Sequence, residues 1–376
     1  MSTIGIDASR ANVKERTGVE WYAYHLIQEL KTVIPADHRV VLYSREPLRD
    51  GLGTLPANWE SRVLSWPFKL WTQVRLSWEM KKRPPDLLFV PAHTLPVILP
   101  KHSINTIHDV GFAARPEFYS PSERRQQTAA TRRAVRRASR ILTVSEFSKN
   151  ELLRRFGAKP EKIEVTPLGY DAERFHRIED RGELRRVLAD YGFAQPYFLC
   201  VGRLESKKNL AGLLKAFRNF KTHRGAGDPV KLVLVGKRGL GYQAAMAEIA
   251  LLPVAESVIE LGYIAPEHMA HIYSGAVALL FPTWYEGFGL PVLEAWACGT
   301  PVIVSKAASL PEVCGSACQF VDPSNGETIT NAMDQILTEQ NMSVRLAALG
   351  SQRVGNFSWK KTAERTWATI ENELQS

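Results

Sequence analysis

AVALLFPTWYEGFGLPVLEAWACGTPVIVS, residues 276–305, passes from one short apolar run to another through a loop and a helical stretch. AVALLFPT and TPVIVS are short and rich in β-branched residues, the pattern of buried strands. WYEGFG carries two glycines and reads as a loop. LPVLEAWACG reads as a short helix with Pro291 in its first turn, where proline is favoured. Strands alternating with helices predict an α/β domain with a parallel sheet. Working outward, PYFLCVG, VKLVLVG and SVIELGYI precede this stretch as strands and CQFVD follows it. A separate series occupies the first half: TIGIDAS, RVVLYS, DLLFVPA, SINTIHDV and RILTVS. It closes with KIEV and an irregular tail, before the short helix RGELRRVLADYG. The segment GVEWYAYHLIQELKTV places Val19, Tyr22, Leu26 and Leu30 at helical spacing, so a helix follows the first strand and its loop. The fold class is therefore α/β, with two doubly wound, Rossmann-like domains. The expected division is 1–178 and 179–357, followed by a helix over 358–376 with Trp359, Ala363, Trp367 and Ile370 on one face. In such sheets ligands bind in a crevice at the carboxyl ends of the strands.

Bulk composition narrows the class. The 376 residues are enough for two cores, and 45% apolar with 23% charged residues is globular. No apolar run reaches the roughly 18–20 residues of a membrane span, and the N-terminus lacks a signal-peptide apolar region. Cys200, Cys298, Cys314 and Cys318 are too few and scattered for a disulfide framework or a zinc site, so a cytoplasmic protein without a structural metal is expected. The formal charge of +9 suggests anionic partners. No nucleic-acid-binding signature accompanies it, so nucleic acid is not expected.

Two stretches carry chemistry. In YFLCVGRLESKKN a buried strand ends at Gly202, and Arg203 and Lys208 follow in the loop. A guanidinium fork and an ammonium at a strand's carboxyl end suit a phosphate, although a solvated surface loop would look the same. In the opening stretch, Gly287 and Gly289 allow backbone N–H groups to approach a ligand, and the helix start favours an anion. Glu286 and Glu294, eight positions apart, cannot bind phosphate. Ionised carboxylates accept hydrogen bonds and suit sugar hydroxyls. A ligand with phosphate in the middle and a sugar at each end fits, which is a nucleotide sugar. Taken alone, Glu294 reads first as an ordinary helix residue and Glu286 as a loop charge; it is the joint pattern that points to a ligand.

GRLESKKN together with FPTWYEGFGLPVLEAWACGTPVI resembles the donor-binding signature of retaining glycosyltransferases of family 4, which have the GT-B fold, with two domains facing a central cleft. The resemblance covers nearly the whole chain. It implies that Glu286 contacts donor-sugar hydroxyls with the backbone of Gly287, Phe288, Gly289 and Leu290. It implies further that Glu294 holds the ribose and that Arg203 and Lys208 bind the diphosphate. IELGYIAPEHMAHIYSGA is similar to the family segment in which backbone groups near Ile264 meet the base. KERTGVEWYAYHL resembles the family's glycine loop, placing the Gly18 N–H at a phosphate, and INTIHDVGF resembles the strand end carrying the active-site histidine, here His108. Asp109 either holds that histidine or caps the next turn, and Ser145 either caps a helix or meets ligand. The C-terminal helix is expected to pack back on the first domain. Asp-x-Asp, the metal-nucleotide signature of the other main glycosyltransferase fold, is absent, so no metal is expected.

The implied activity is transfer of a sugar to a glycan or lipid-linked glycan of cell-surface polysaccharide. GDP-mannose is favoured over UDP-sugars by likeness to bacterial mannosyltransferases. A nucleotide-sugar epimerase of the same fold and a non-catalytic sugar-nucleotide-binding subunit are the rivals. Residues 64–85 mix Trp66, Phe68, Trp71 and Trp78 with Lys69, Arg75, Lys81, Lys82 and Arg83. This segment reads either as a peripheral contact with anionic membrane or as core packing. RRAVRRASR is expected to place Arg133, Arg136, Arg137 and Arg140 on one helical face.

Overall fold

The computed structural model describes residues 1–225, 227–250, 253–262 and 264–376. They form two compact units, one of residues 1–169 and 358–376 and the other of residues 170–357.

The first unit is built on β1 (Thr3–Asp7), β2 (Arg39–Ser44), β3 (Trp59–Val63), β4 (Leu87–Val90), β5 (His102–Thr106), β6 (Arg140–Thr143) and β7 (Ile163–Val165). They pair in parallel in the order β3-β2-β1-β4-β5-β6-β7. Central strands such as β4, LLFV, are apolar throughout because helices cover both faces of a parallel sheet. β3 has no counterpart among the expected strands. Its sequence, WESRV, is largely polar because it lies at the sheet edge. Val41, Tyr43, Leu88, Val90 and Ile141 pack with Trp71, Leu76 and Met80 into one core.

The helix Trp359–Leu374 belongs to this unit. The Trp359 ring stacks on His25 at 5.3 Å, and Thr362 donates to the Pro167 carbonyl at 2.6 Å. Near its end Glu373 accepts from His102 at 2.9 Å and from Arg140 at 3.0 Å. That contact corrects the expected arginine face. The helix Pro121–Arg137 stops at Arg137, and Arg140 opens β6, so Arg140 does not share a helical face with Arg133. Ala138 has ψ 141°, and extended backbone there ends the helical periodicity.

The second unit carries β8 (Tyr197–Val201), β9 (Lys231–Val235), β10 (Val258–Gly262), β11 (Ala278–Phe281), β12 (Val302–Ser305) and β13 (Gln319–Val321). Their order is β10-β9-β8-β11-β12-β13, again parallel. All six strands expected in this half are present, though Tyr263, at the end of the third expected segment, lies outside the described residues. The helix Leu210–Arg224 buries Leu213, Leu214, Phe217 and Phe220 against β8 and β9 side chains including Phe198, Leu232 and Leu234.

The boundary falls between Gly169 and Tyr170, earlier than the expected 178/179. Three contacts tie residues 170–178 to the second unit. Arg174 Nε donates to the Pro266 carbonyl at 3.0 Å, Ile178 N donates to Ser274 Oγ at 3.1 Å, and Phe175 meets Tyr273 edge-on at 5.8 Å. Burying Phe175 contributes about 1.5–3 kcal/mol, enough to fix an otherwise irregular tail.

Candidate functional site

The second sheet reverses its order between β8 and β11, so the loops leaving these neighbouring strands diverge and open a crevice at their carboxyl ends. The β8 loop begins at Gly202, whose φ of 131° is costly for residues with a Cβ. Arg203 follows, and the turn Ser206–Lys208 brings Lys208 back over the strand end. Asn209, left-handed at φ 58°, anchors the turn through Nδ2 to the Pro323 carbonyl at 2.8 Å and leads into the helix Leu210–Arg224.

The β11 loop meets this turn directly. Trp284 N donates to the Lys207 carbonyl at 3.0 Å. Lys208 Nζ pairs with Glu286 Oε1 and lies 5.0 Å from the centre of the Phe281 ring. Arg203 and Lys208 line one small pocket with Phe281 and Pro282. Arg203 itself is exposed, 3.7 Å from Glu205. The Lys208–Glu286 pair saturates neither partner. The ammonium has three donors and the carboxylate two oxygens, so each keeps capacity for a ligand. An ammonium and a guanidinium at one strand end have the charge to accommodate an anion, and the second Glu286 oxygen has the capacity to accept from a hydroxyl.

The loop after Glu286 is held from behind. Ser309 Oγ donates to the carbonyls of Glu286 at 2.9 Å and Phe288 at 3.1 Å. Phe288 is buried and packs edge-on against Phe357 at 5.7 Å, so its side chain anchors the loop. Gly289 has φ 115°, and a Cβ there would meet Leu310 at 2.9 Å. This turn sets the start of the helix Leu290–Ala297, where Pro291 lacks an N–H and the Val292 N–H donates to the Gly289 carbonyl at 3.0 Å. Glu294 lies on that helix, where the buried Tyr273 hydroxyl donates to its Oε2 at 2.6 Å. Tyr273 is fixed in turn by Thr300 Oγ1, which donates to its carbonyl at 2.6 Å. Burial raises the Glu294 pKa; the Tyr273 bond and Arg174 oppose that shift, and Asp171 adds to it. Ile264 follows β10, and its side chain is buried. It lies at the same carboxyl edge of the sheet, where its backbone can address a ligand.

In the first unit, Gly18 is exposed at the start of the helix Gly18–Val33, and a Cβ there would meet nothing within 4 Å. Space does not demand glycine at this position. Thr17 and Glu20 form a capping box just before and after it. His108 follows β5 and is buried, with its ring 4.5 Å from Tyr22 and 5.6 Å from His93. Its Nε2 has no hydrogen-bond partner among the described residues. Desolvation, then the neighbouring His93, lowers its pKa from 6.5 to about 3, so it is neutral at pH 7. Asp109, beside His108, and Ser145, after β6, each make a capping bond. Asp109 Oδ1 accepts from Gly111 N at 2.7 Å, and Ser145 Oγ accepts from Ser148 N at 3.1 Å. Ser148 Oγ then donates to the His108 carbonyl at 3.1 Å, which fixes the histidine backbone.

Tyr273, Ser309 and Asn209 escaped the sequence reading. Only Tyr273 left a signal: a phenol in the apolar stretch HIYSGA must find an acceptor if it is buried.

Comparison with known proteins gives a consistent picture. The family profile "Glycosyltransferase Family 4" matches residues 16–174, and "Glycosyl transferases group 1" matches residues 189–353. The chain is 31% identical over 294 residues to the O-antigen chain mannosyltransferase B of Escherichia coli, covering 78% of this chain and 76% of that one. It is 30% identical over 279 residues to the MMP alpha-(1->4)-mannosyltransferase of Mycolicibacterium hassiacum, covering 73% of this chain and 64% of that one. Among solved structures, sucrose-phosphate synthase from Thermosynechococcus elongatus superposes with a TM-score of 0.77 at 19% identity, covering 99% of both chains. WaaG, a glycosyltransferase involved in lipopolysaccharide biosynthesis, superposes with a TM-score of 0.75 at 16% identity, covering 98% of this chain and 99% of that one.

The His108 environment is directly measurable. Its folded pKa of about 3 lies below the ordinary 6.5, so the unfolded chain binds the proton first as pH falls. The stability it contributes is complete above pH 6.5 and is lost between 6.5 and about 3, with a slope of up to about 1.4 kcal/mol per pH unit. In histidine NMR spectra, the resonance removed by His108→Asn should not titrate between pH of about 8 and about 5. A midpoint near the ordinary value would contradict this burial.

Proposed function

We propose that this chain, which belongs to the group 1 and Family 4 glycosyltransferases and has their GT-B fold, transfers mannose from GDP-mannose to a hydroxyl of a glycan or lipid-linked glycan. In this reading it works in cell-surface polysaccharide synthesis, retains anomeric configuration and uses no metal ion. The observation that carries the proposal is the Lys208–Glu286 pair at the reversal of the second sheet, beside Arg203 and the start of the helix Leu290–Ala297. Mannose and surface polysaccharide are supported by the name of the E. coli O-antigen relative. GDP is inferred as the leaving nucleotide of an activated mannose.

Each group has one task. Arg203, Lys208 and the helix start neutralise the charge that builds on the departing diphosphate. Glu286 Oε2 accepts from a donor-sugar hydroxyl, and the backbone from Gly287 to Leu290 supports the same sugar. Glu294, with Oε2 already held by Tyr273, offers Oε1 to the ribose, while backbone near Ile264 meets the base. In the first unit, we assign the Gly18 N–H to a phosphate and place neutral His108 near the reacting sugar. In the reaction, the bond between sugar C1 and the diphosphate oxygen breaks. The acceptor oxygen bonds to C1 on the same face, and its proton passes to an oxygen of the leaving diphosphate.

Two substitutions separate charge stabilisation from positioning. Lys208→Ala should lower turnover of GDP-mannose about 10²–10³-fold in folded protein, by analogy with the loss of one stabilising donor. Turnover within a few-fold of the parent would remove Lys208 from the leaving-group role. Tyr273→Phe should weaken GDP binding roughly tenfold, as expected when a charged hydrogen-bonded group loses its partner. It should leave the affinity for the 2′,3′-dideoxy analogue unchanged. Equal weakening of both nucleotides, measured by calorimetry, would show a structural effect instead of ribose positioning.

A further inference from the structure

The segment 64–85 divides between core and surface. Trp71 is buried, and its indole N–H donates to the Leu64 carbonyl at 2.7 Å. Glu79 is buried too and pairs with Arg62 at 3.1 Å and Arg75 at 3.2 Å. These contacts hold the helical turns Thr72–Leu76 and Ser77–Lys82 on the domain. The opposite side is apolar and open: Phe68 is 67% exposed, Leu70 58%, Val74 44% and Trp78 59%. Leu70, Val74 and Trp78 recur every four residues, and Val74 N donates to the Leu70 carbonyl at 2.9 Å, so they follow one another turn by turn. The exposed Val97 adjoins them, since its N–H donates to Ser77 Oγ at 2.7 Å.

The charge around this ridge has one sign. Residues 64–101 contain six lysines and arginines and two acidic residues, a net charge of 6 − 2 = +4. Of the two acids, Glu79 is buried in its ion pairs, and Asp86 accepts from Thr3 N at 2.7 Å. Lys81 lies 5.9 Å from the Trp78 ring, and Lys69, Lys82 and Arg83 are exposed. No helix among the described residues is long and apolar enough to cross a membrane.

We propose that the first unit docks on an anionic phospholipid bilayer, inserting Phe68, Leu70, Val74 and Trp78 at the headgroup boundary while Lys69, Lys81 and Lys82 meet lipid phosphates. Large apolar side chains flanked by lysines form an amphipathic interfacial surface. A stack of one aromatic and aliphatic residue per turn, left uncovered by its own fold, is also larger than the scattered exposed residues of an ordinary surface. Charge complementarity selects the anionic bilayer over a second copy of this chain, which carries the same net-positive ridge. The proposal concerns where the enzyme sits and is independent of the donor assignment.

The test is flotation of the full chain with vesicles of phosphatidylcholine alone and of phosphatidylcholine mixed with phosphatidylglycerol. The parent should float with the mixed vesicles, and added salt should release it. Each lysine near an anionic surface changes partition about fivefold, so Lys81→Glu with Lys82→Glu should reduce binding more than about tenfold. Phe68→Ser with Trp78→Ser should reduce binding at least as much, while GDP-mannose binding in solution remains that of the parent. Equal flotation with both vesicle types, or variants that bind as the parent does, would overturn the proposal. A dimer in sedimentation that Phe68→Ser with Trp78→Ser dissociates, without vesicle binding, would assign the ridge to a second copy instead.

Discussion

The ion pair between Lys208 and Glu286 joins two loops that the chain order sends in different directions. β8 and β11 are neighbours in the sheet, yet their connections lead to opposite flanks, which leaves the ends of both loops exposed to ligand. Without a tie, an ammonium and a carboxylate on such loops would each sample many rotamers. The pair, supported by the Trp284 N–H to the Lys207 carbonyl, fixes both side chains at the strand ends. The charges are mostly withdrawn from solvent, at 18% and 13% side-chain exposure, so breaking the pair would strand one of them. The rest of the site is built outward from it. Ser309 holds the backbone beyond Glu286, Gly289 turns the chain into the helix, and the helix delivers Glu294 to Tyr273.

The fold was legible where local sequence and global packing coincide. Buried parallel strands such as LLFV and KLVLV are apolar on both faces and stand out in the sequence. β3 did not stand out, because an edge strand with the sequence WESRV keeps polar side chains and borrows its structure from β2. The expected arginine face failed for a related reason. The spacing of Arg133, Arg136, Arg137 and Arg140 suits a helix, but the chain turns extended at Ala138 and gives Arg140 to β6. The domain boundary shifted because Arg174, Phe175 and Ile178 find their partners on residues nearly a hundred positions later, and no local pattern announces that.

The same distinction governs the site. Arg203, Lys208 and Glu286 stood out as charged residues in loops after strands, and Glu294 through its spacing of eight from Glu286. Tyr273 and Ser309 act through hydrogen bonds to residues 21 and 23 positions away, so their roles appear only once the sheet is assembled. Phe288 shows the converse, since a position grouped with the donor-contacting loop turns out to contribute its side chain to packing against Phe357. The aromatic and basic segment 64–85 could be read two ways because it divides between core and surface: Trp71 is buried and Trp78 is exposed.

The central claim is that the two glutamates serve opposite ends of one donor, Glu286 the sugar and Glu294 the ribose. Calorimetric titration of Glu286→Gln and Glu294→Gln with GDP and with GDP-mannose tests it. Loss of one charged hydrogen bond is worth about 1.5–3 kcal/mol, or roughly 10- to 100-fold in affinity. The account predicts that Glu286→Gln weakens GDP-mannose more than GDP by this factor, any effect of the released Lys208 being common to both ligands, whereas Glu294→Gln weakens both ligands equally. If Glu286→Gln weakens GDP as much as GDP-mannose, or Glu294→Gln affects only GDP-mannose, the division of labour between the two carboxylates is wrong.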